Sequence, residues 1–125
     1  MNNKIKPKEQ KIIQQAQSLL SQNNAELAKD VLLKFTRKNK ASVHTWYLLS
    51  LSHAILGESR EALSPASLLV KEHAKNIDYL KLLGGIYHDL QRYDEAIEIF
   101  ERAIKVNNKD YQVLSNIANS LKETH

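Results

Sequence analysis

Residues 77–110 read IDYLKLLGGIYHDLQRYDEAIEIFERAIKVNNKD. Leu80, Leu83 and Tyr87, with the small Gly84 among them, recur at helical spacing; Ala96, Phe100 and Ala103 do so again after the polar break at Gln91, Arg92 and Tyr93. The pattern predicts two amphipathic helices, over 77–89 and 94–106, joined by a short turn. Gly84 and Ala96 bring no bulk to the inner faces, so the helices are expected to approach closely there while the longer side chains fill the remaining gap. Asn76 and Asp110, each standing just before a helix, are good N-cap residues.

Shifting the chain against itself by 34 residues brings Ile12, Trp46, Leu80 and Leu114 into register. The small residues Ala16, Ser50, Gly84 and Ala118 align, as do Ala28, Ala62 and Ala96, and the caps Ser42, Asn76 and Asp110. The next slots hold Leu32 with Phe35, Ala66 with Leu69, and Phe100 with Ala103, so each pair keeps at least one large side chain. A 3.6-residue period alone would not repeat small residues and caps in register. Seven helices are expected, over 8–21, 26–38, 43–55, 60–73, 77–89, 94–106 and 111–123, with turns at Gln22-Asn23-Asn24, Gly57 and Gln91-Arg92-Tyr93. The predicted inward faces carry Ile12, Ala16, Leu19 and Leu20; Ala28, Leu32 and Phe35; Trp46, Leu49, Ser50 and His53; and Leu114, Ile117, Ala118 and Leu121. Pro65 falls beyond the first turn of its helix and is expected to kink it near Ser64.

These intervals of a large apolar residue, Leu-Gly, Tyr, then Ala, Phe and Ala over 34 residues resemble a tetratricopeptide repeat. The resemblance covers 9–42, 43–76 and 77–110 as full repeats and 111–125 as a half repeat or capping helix, after a tail and helix start at 1–8, all in one domain. The third repeat fits best; the first has Gln15 where Leu is usual and Leu19 where Tyr is usual. All three lack the family's frequent closing proline, with Lys40, Ala74 and Asn108 in its place. The resemblance implies an all-α, right-handed superhelical solenoid of helix–turn–helix repeats whose first helices line a concave groove. One helix pair cannot bury its apolar face alone, so pairs stack.

Composition agrees with long helices and short connections. The 125 residues include three glycines, two prolines and no cysteine, which excludes a disulfide framework, a thiolate metal site and a cysteine nucleophile. No apolar run is long enough to cross a membrane and no signal-type stretch follows the basic N-terminus, so a cytoplasmic protein is expected. The net charge is +4. It is uneven: residues 1–42 hold nine Lys or Arg against three Asp or Glu, and residues 77–110 five against seven.

No catalytic constellation is legible, so no enzyme activity and no cofactor is expected. Gly84 and Gly85 lie inside a helix rather than in a phosphate loop. No two of the five histidines share a helix face at i,i+4, and His53, in the Tyr87 slot, reads as a packed histidine. Asp94, Glu95, Glu98 and Glu101 read as a solvated face, with first-turn carboxylates favoured by the helix dipole. The basic cluster Lys34, Arg37, Lys38 and Lys40, with Lys4, Lys6, Lys8 and Lys11, could attract an acidic partner. The lack of interleaved aromatics argues against nucleic acid.

By repeat phase the groove is expected to present Gln10, Ile13, Gln14 and Gln17; His44, Tyr47, Leu48, Leu51 and Ile55; Asp78, Lys81, Leu82, Gly85 and His88; and Gln112, Ser115, Asn116 and Asn119. Its candidate partner-binding residues are Tyr47, Leu48, Leu51, Ile55, Lys81, Leu82, Gly85 and His88: an apolar patch with room beside Gly85 and polar ends. The family's carboxylate clamp for chaperone tails is absent, since Ile13, Gln17, Leu48, Asp78 and Leu82 occupy its places. Of its asparagine ladder only Asn116 remains. The expected function is a non-catalytic module that binds a peptide or amphipathic helix of another protein. The alternatives are the front module of a larger enzyme such as a transferase, and self-association as a homodimer through the groove or the last helix.

Overall fold

A computed structural model describes residues 5–124; the expectations for residues 1–4 and for His125 lie outside it. Among the described residues there are seven α-helices and no strand: α1 Pro7–Ser21, α2 Ala25–Lys38, α3 Val43–Ile55, α4 Ser59–Glu72, α5 Ile77–Asp89, α6 Tyr93–Val106 and α7 Tyr111–Thr124. Bounds of α3 and α5 coincide with the expected ones, and the others differ by a residue. The chain divides into two units at Pro65, which lies inside α4.

In the first unit α1 packs on α2, and α3 packs on both. Its core gathers Ile13, Ala16, Ala28, Leu32, Leu48 and Leu49, with Ile12, Leu19, Leu20, Trp46 and Tyr47 packed around it. In the second unit α6 lies against α5 and α7, and Leu80, Leu83, Gly84, Ala96, Phe100 and Ala103 are buried as the spacing predicts. Phe100 fills the space that Gly84 leaves open: a Cβ on Gly84 would collide with three atoms of its ring, two of them at 2.7 Å.

The turns repeat with the sequence period. Asn23, Gly57 and Gln91 have φ of +59°, +78° and +62°. In each turn the following N–H reaches back across the helix end, Asn24 to Leu19 (2.8 Å), Glu58 to His53 (2.8 Å) and Arg92 to Tyr87 (2.8 Å). Left-handed residues with such bonds close a helix in the Schellman manner. Asn24, Asn76 and Asp110 cap α2, α5 and α7 through side-chain oxygens that accept from Leu27, Tyr79 and Val113 N–H.

Ser42 departs from the expected cap. Its hydroxyl makes no capping bond and is buried without a partner. Instead Glu9 of α1 reaches the start of α3, where its Oε2 accepts from Ser42 N–H at 2.8 Å and Thr45 Oγ1 at 2.6 Å. A carboxylate is favoured there by the helix dipole and its open N–H groups. Burial pushes the Glu9 carboxyl up, but the bonds from Thr45 and Ser42 outweigh it and hold the group below its ordinary 4.5. A depressed carboxyl stabilises the fold fully above the unfolded-state value and loses that contribution as pH falls through the folded one. Glu9→Gln is therefore expected to cost about 1.5 kcal/mol at neutral pH. The gap should close in urea titrations below about pH 4; a gap independent of pH would show that charge is not what Glu9 contributes.

Two inward faces differ from expectation. On α1, Ile13 is buried and Ile12 only half-buried. On α7 the buried residues are Val113 and Ser120, while Leu114 and Leu121 are 43% and 42% exposed and Ala118 is exposed. Leu114 and Ala118 occupy the positions of Leu80 and Gly84, which face a following helix; among the described residues no helix follows α7.

Candidate partner-binding surfaces

On α3, the positions His44, Tyr47, Leu51 and Ile55 lie one turn apart and form a stripe. His44 and Ile55 are exposed, Ile55 by 58%, and Tyr47 and Leu51 are half-buried. Leu48, expected in the same groove, is 6% exposed and belongs to the core of its unit. Leu82, its counterpart 34 residues on, is likewise buried, at 9%. The reason is geometric: consecutive residues diverge by about 100° around a helix, and here Leu48 turns with Leu49, and Leu82 with Leu83, towards the buried side while Tyr47 and Lys81 stay at its edge.

On α5, Lys81, Gly85 and His88 form the corresponding stripe. Lys81 Nζ is held by Asp110 Oδ2 at 3.2 Å. The Val113 N–H, joined by Lys81 and opposed by burial, keeps the Asp110 carboxyl below its usual range. His88 Nδ1 lies 2.9 Å from Ser120 Oγ, and its ring meets Tyr93 edge-on at 5.2 Å. Nothing lies within 4 Å of where a Gly85 Cβ would stand. The space opens into a hollow of about 190 Å³ lined by Gly85, His88, Asp89, Phe100, Asn116 and Asn119. Two primary amides can each offer donors and an acceptor to a polypeptide backbone. Asn116 and Asn119 were readable from repeat phase; Asp89 and Phe100 were not, because they reach the hollow from outside the groove stripe.

The remaining polar clusters hold the fold. Glu58 accepts from Lys29 at 3.1 Å and lies 2.9 Å from His53 Nδ1; the bonds from His53 and then Lys29 hold its carboxyl below the usual range. Ser50 Oγ donates to Ala62 O at 2.8 Å, which seats a hydroxyl in a small, buried slot. Among the described residues no three His, Asp or Glu are grouped to hold a metal, and no helix is long and apolar enough to cross a membrane.

An all-helical chain with end-to-end repeating turns defines a helical-repeat protein. Residues 77–110 match the tetratricopeptide repeat family. The fold is similar to the tetratricopeptide domain of Sgt2 from Aspergillus fumigatus, with a TM-score of 0.83 at 15% identity over 95% of this chain and 80% of that one. It is similar also to the P58(IPK) tetratricopeptide domain, with a TM-score of 0.84 at 20% identity over 94% of this chain and 34% of that one. Residues 77–110 are thus a tetratricopeptide repeat, and the chain around them has the fold of tetratricopeptide domains. In sequence it is 31% identical over 77 residues to the probable UDP-N-acetylglucosamine–peptide N-acetylglucosaminyltransferase SEC of Arabidopsis thaliana. That match takes in 60% of this chain but only 8% of the relative's length.

Proposed function

We propose that the chain is a non-catalytic protein-interaction module that binds a peptide or amphipathic helix of another protein. The observation that carries this reading is the α3 stripe, which leaves Ile55 exposed and Tyr47 and Leu51 partly so on a helix whose other faces are buried. On the second unit, the hollow beside Gly85 supports the same reading, since it offers amides and an imidazole to a polypeptide rather than a set of reacting groups. The residues assigned to partner binding are Tyr47, Leu51 and Ile55 on α3, and Lys81, Gly85 and His88 on α5. Leu48 and Leu82 act through the core. A cytoplasmic setting is part of the proposal.

Peptides selected from a displayed library against the whole chain should weaken roughly tenfold or more on Tyr47→Ser/Leu51→Ser, a loss of about 1.4 kcal/mol, with the circular dichroism unchanged. Selected peptides that bind the double variant as well as the parent would sink the α3 assignment. The match to a segment of a transferase favours one further reading, in which the module serves as the recognition part of a larger enzyme whose chemistry lies elsewhere.

A further inference from the structure

The first unit carries a second surface that shares no residue with the α3 stripe. Between α1 and α2 runs a trough of about 390 Å³ lined by Lys8, Ile12 and Gln15 on one side and Val31, Lys34, Phe35, Lys38 and Asn39 on the other. Its floor is apolar: Phe35 is buried, and Ile12 and Val31 are half-buried. Its walls are cationic, with Lys8 on α1 facing the Lys34–Lys38 row on α2, and all three are exposed. A neighbouring hollow of about 200 Å³ shares Lys8, Phe35 and Asn39, and adds Lys6, Lys40 and the buried Ser42.

Three lysines thus border the trough and two more the adjoining hollow, and none of the five makes an ion pair among the described residues. Two carboxylates of α1 and α2 are committed elsewhere, and Asp30, one turn before Lys34 on α2, is exposed. Glu9 is buried on the Ser42 N–H and Thr45 hydroxyl, and Glu26 sits on Lys29. Like charges crowded around a low-dielectric floor repel one another and focus a positive potential into the channel. The complementary occupant carries carboxylates on its flanks and apolar side chains beneath them. Rim pairs with lysine are individually weak because the ammonium stays hydrated, so affinity has to come also from apolar area placed on Ile12, Val31 and Phe35. Nucleic acid fits poorly: the channel's aromatic ring, Phe35, is buried and offers no face on which a base could stack. A lipid surface fits poorly as well, because the apolar groups form a recessed floor and do not protrude.

We propose that the α1–α2 trough is a docking site for an acidic amphipathic segment of a partner protein, which lays its apolar face on Ile12, Val31 and Phe35 and its carboxylates between Lys8 and the Lys34–Lys38 row. Docking here is independent of the α3 stripe. It makes the chain able to hold two segments at once.

The test uses the whole chain and fluorescence anisotropy of a labelled peptide of about four helical turns, with Leu on one face and Glu elsewhere. Three comparison probes are a scrambled peptide of the same composition, the same pattern with Lys for Glu, and an oligouridine of similar charge. The patterned acidic peptide should bind, and its affinity should fall roughly tenfold between about 50 and about 300 mM salt. Lys34→Glu/Lys38→Glu should weaken it at least roughly tenfold, as should Val31→Asp, while Tyr47→Ser/Leu51→Ser leaves it unchanged. Lys34→Gln/Lys38→Gln, which preserves the helix without reversing charge, should give an intermediate loss. Equal binding of the scrambled peptide, tighter binding of oligouridine, or no response to the lysine variants would overturn the proposal. Loss of the peptide on Tyr47→Ser/Leu51→Ser would overturn it too, by moving the site to α3.

Discussion

Leu48→Asp is expected to unfold the first unit, while Leu51→Asp, three residues away, is expected to leave it folded. Leu48 is 6% exposed and packs with Ile13, Ala16, Ala28, Leu32 and Leu49. Replacing it removes a buried aliphatic side chain and leaves a cavity, a loss of about 2–5 kcal/mol for Leu→Ala. The carboxylate adds to this, since it must either lie unpaired in the core or take up a proton. The sum of about 5 kcal/mol or more rivals the whole stability of a small domain. Leu51 is half-buried, and its carboxylate can turn towards water at a cost of about 1 kcal/mol. Urea denaturation followed by circular dichroism checks both. A native-like transition in Leu48→Asp would mean that the core of the first unit is not built around this residue.

The same pair shows what could be read from the sequence. Periodicity of 34 located every helix, because caps, small residues and turn positions all repeat together and each has its own physical cause. Ala28, Leu32 and Phe35 on α2 and Ala96, Phe100 and Ala103 on α6 were legible as buried for the same reason. Facing was legible only to within about a quarter turn. Leu48 and Leu82 looked like groove residues because they are apolar and adjacent to groove positions, and hydrophobicity does not say which of two neighbours turns inward. On α7 the repeat register named Leu114 and Ala118 as inward; in the structure they occupy a face on which no described helix lies. Glu9 was beyond reach. Its partners Ser42 and Thr45 are 33 and 36 residues away, brought together only when α3 packs on α1, and nothing local marks a glutamate that will be buried. The lysines of the α1–α2 trough were visible as a cluster. The apolar floor between them was not, since Ile12 and Phe35 fall on the packing stripes of their helices and nothing in the repeat marks Val31.

Gly84→Ala is expected to destabilise the second unit by about 2 kcal/mol, against the ordinary trend. In a helix interior alanine is favoured over glycine by about 1 kcal/mol, so an open site would gain. Gly84 is not open. Its missing Cβ is where the Phe100 ring lies, with three ring atoms against the position a methyl would take, two of them at 2.7 Å. Phe100 is 1% exposed, so α5 and α6 must separate or the ring must leave its rotamer and swing towards the hollow it borders beside Gly85. Such overpacking costs about 1–3 kcal/mol, and this contact is at the severe end. The first unit shows the alternative solution. There Ala16 occupies the slot equivalent to Gly84, Leu32 the slot equivalent to Phe100, and both are fully buried in one cluster. Phe100→Leu introduced into Gly84→Ala should therefore recreate that pairing and return stability to within about 1 kcal/mol of the parent, although Phe100→Leu alone leaves a void and costs about 1–2 kcal/mol. The two changes should couple favourably by about 2 kcal/mol, well beyond the few tenths expected of independent sites. Thermal and urea unfolding of the four proteins in the cycle decide it. Additive losses would show that the small residue at Gly84 serves something other than the ring of Phe100.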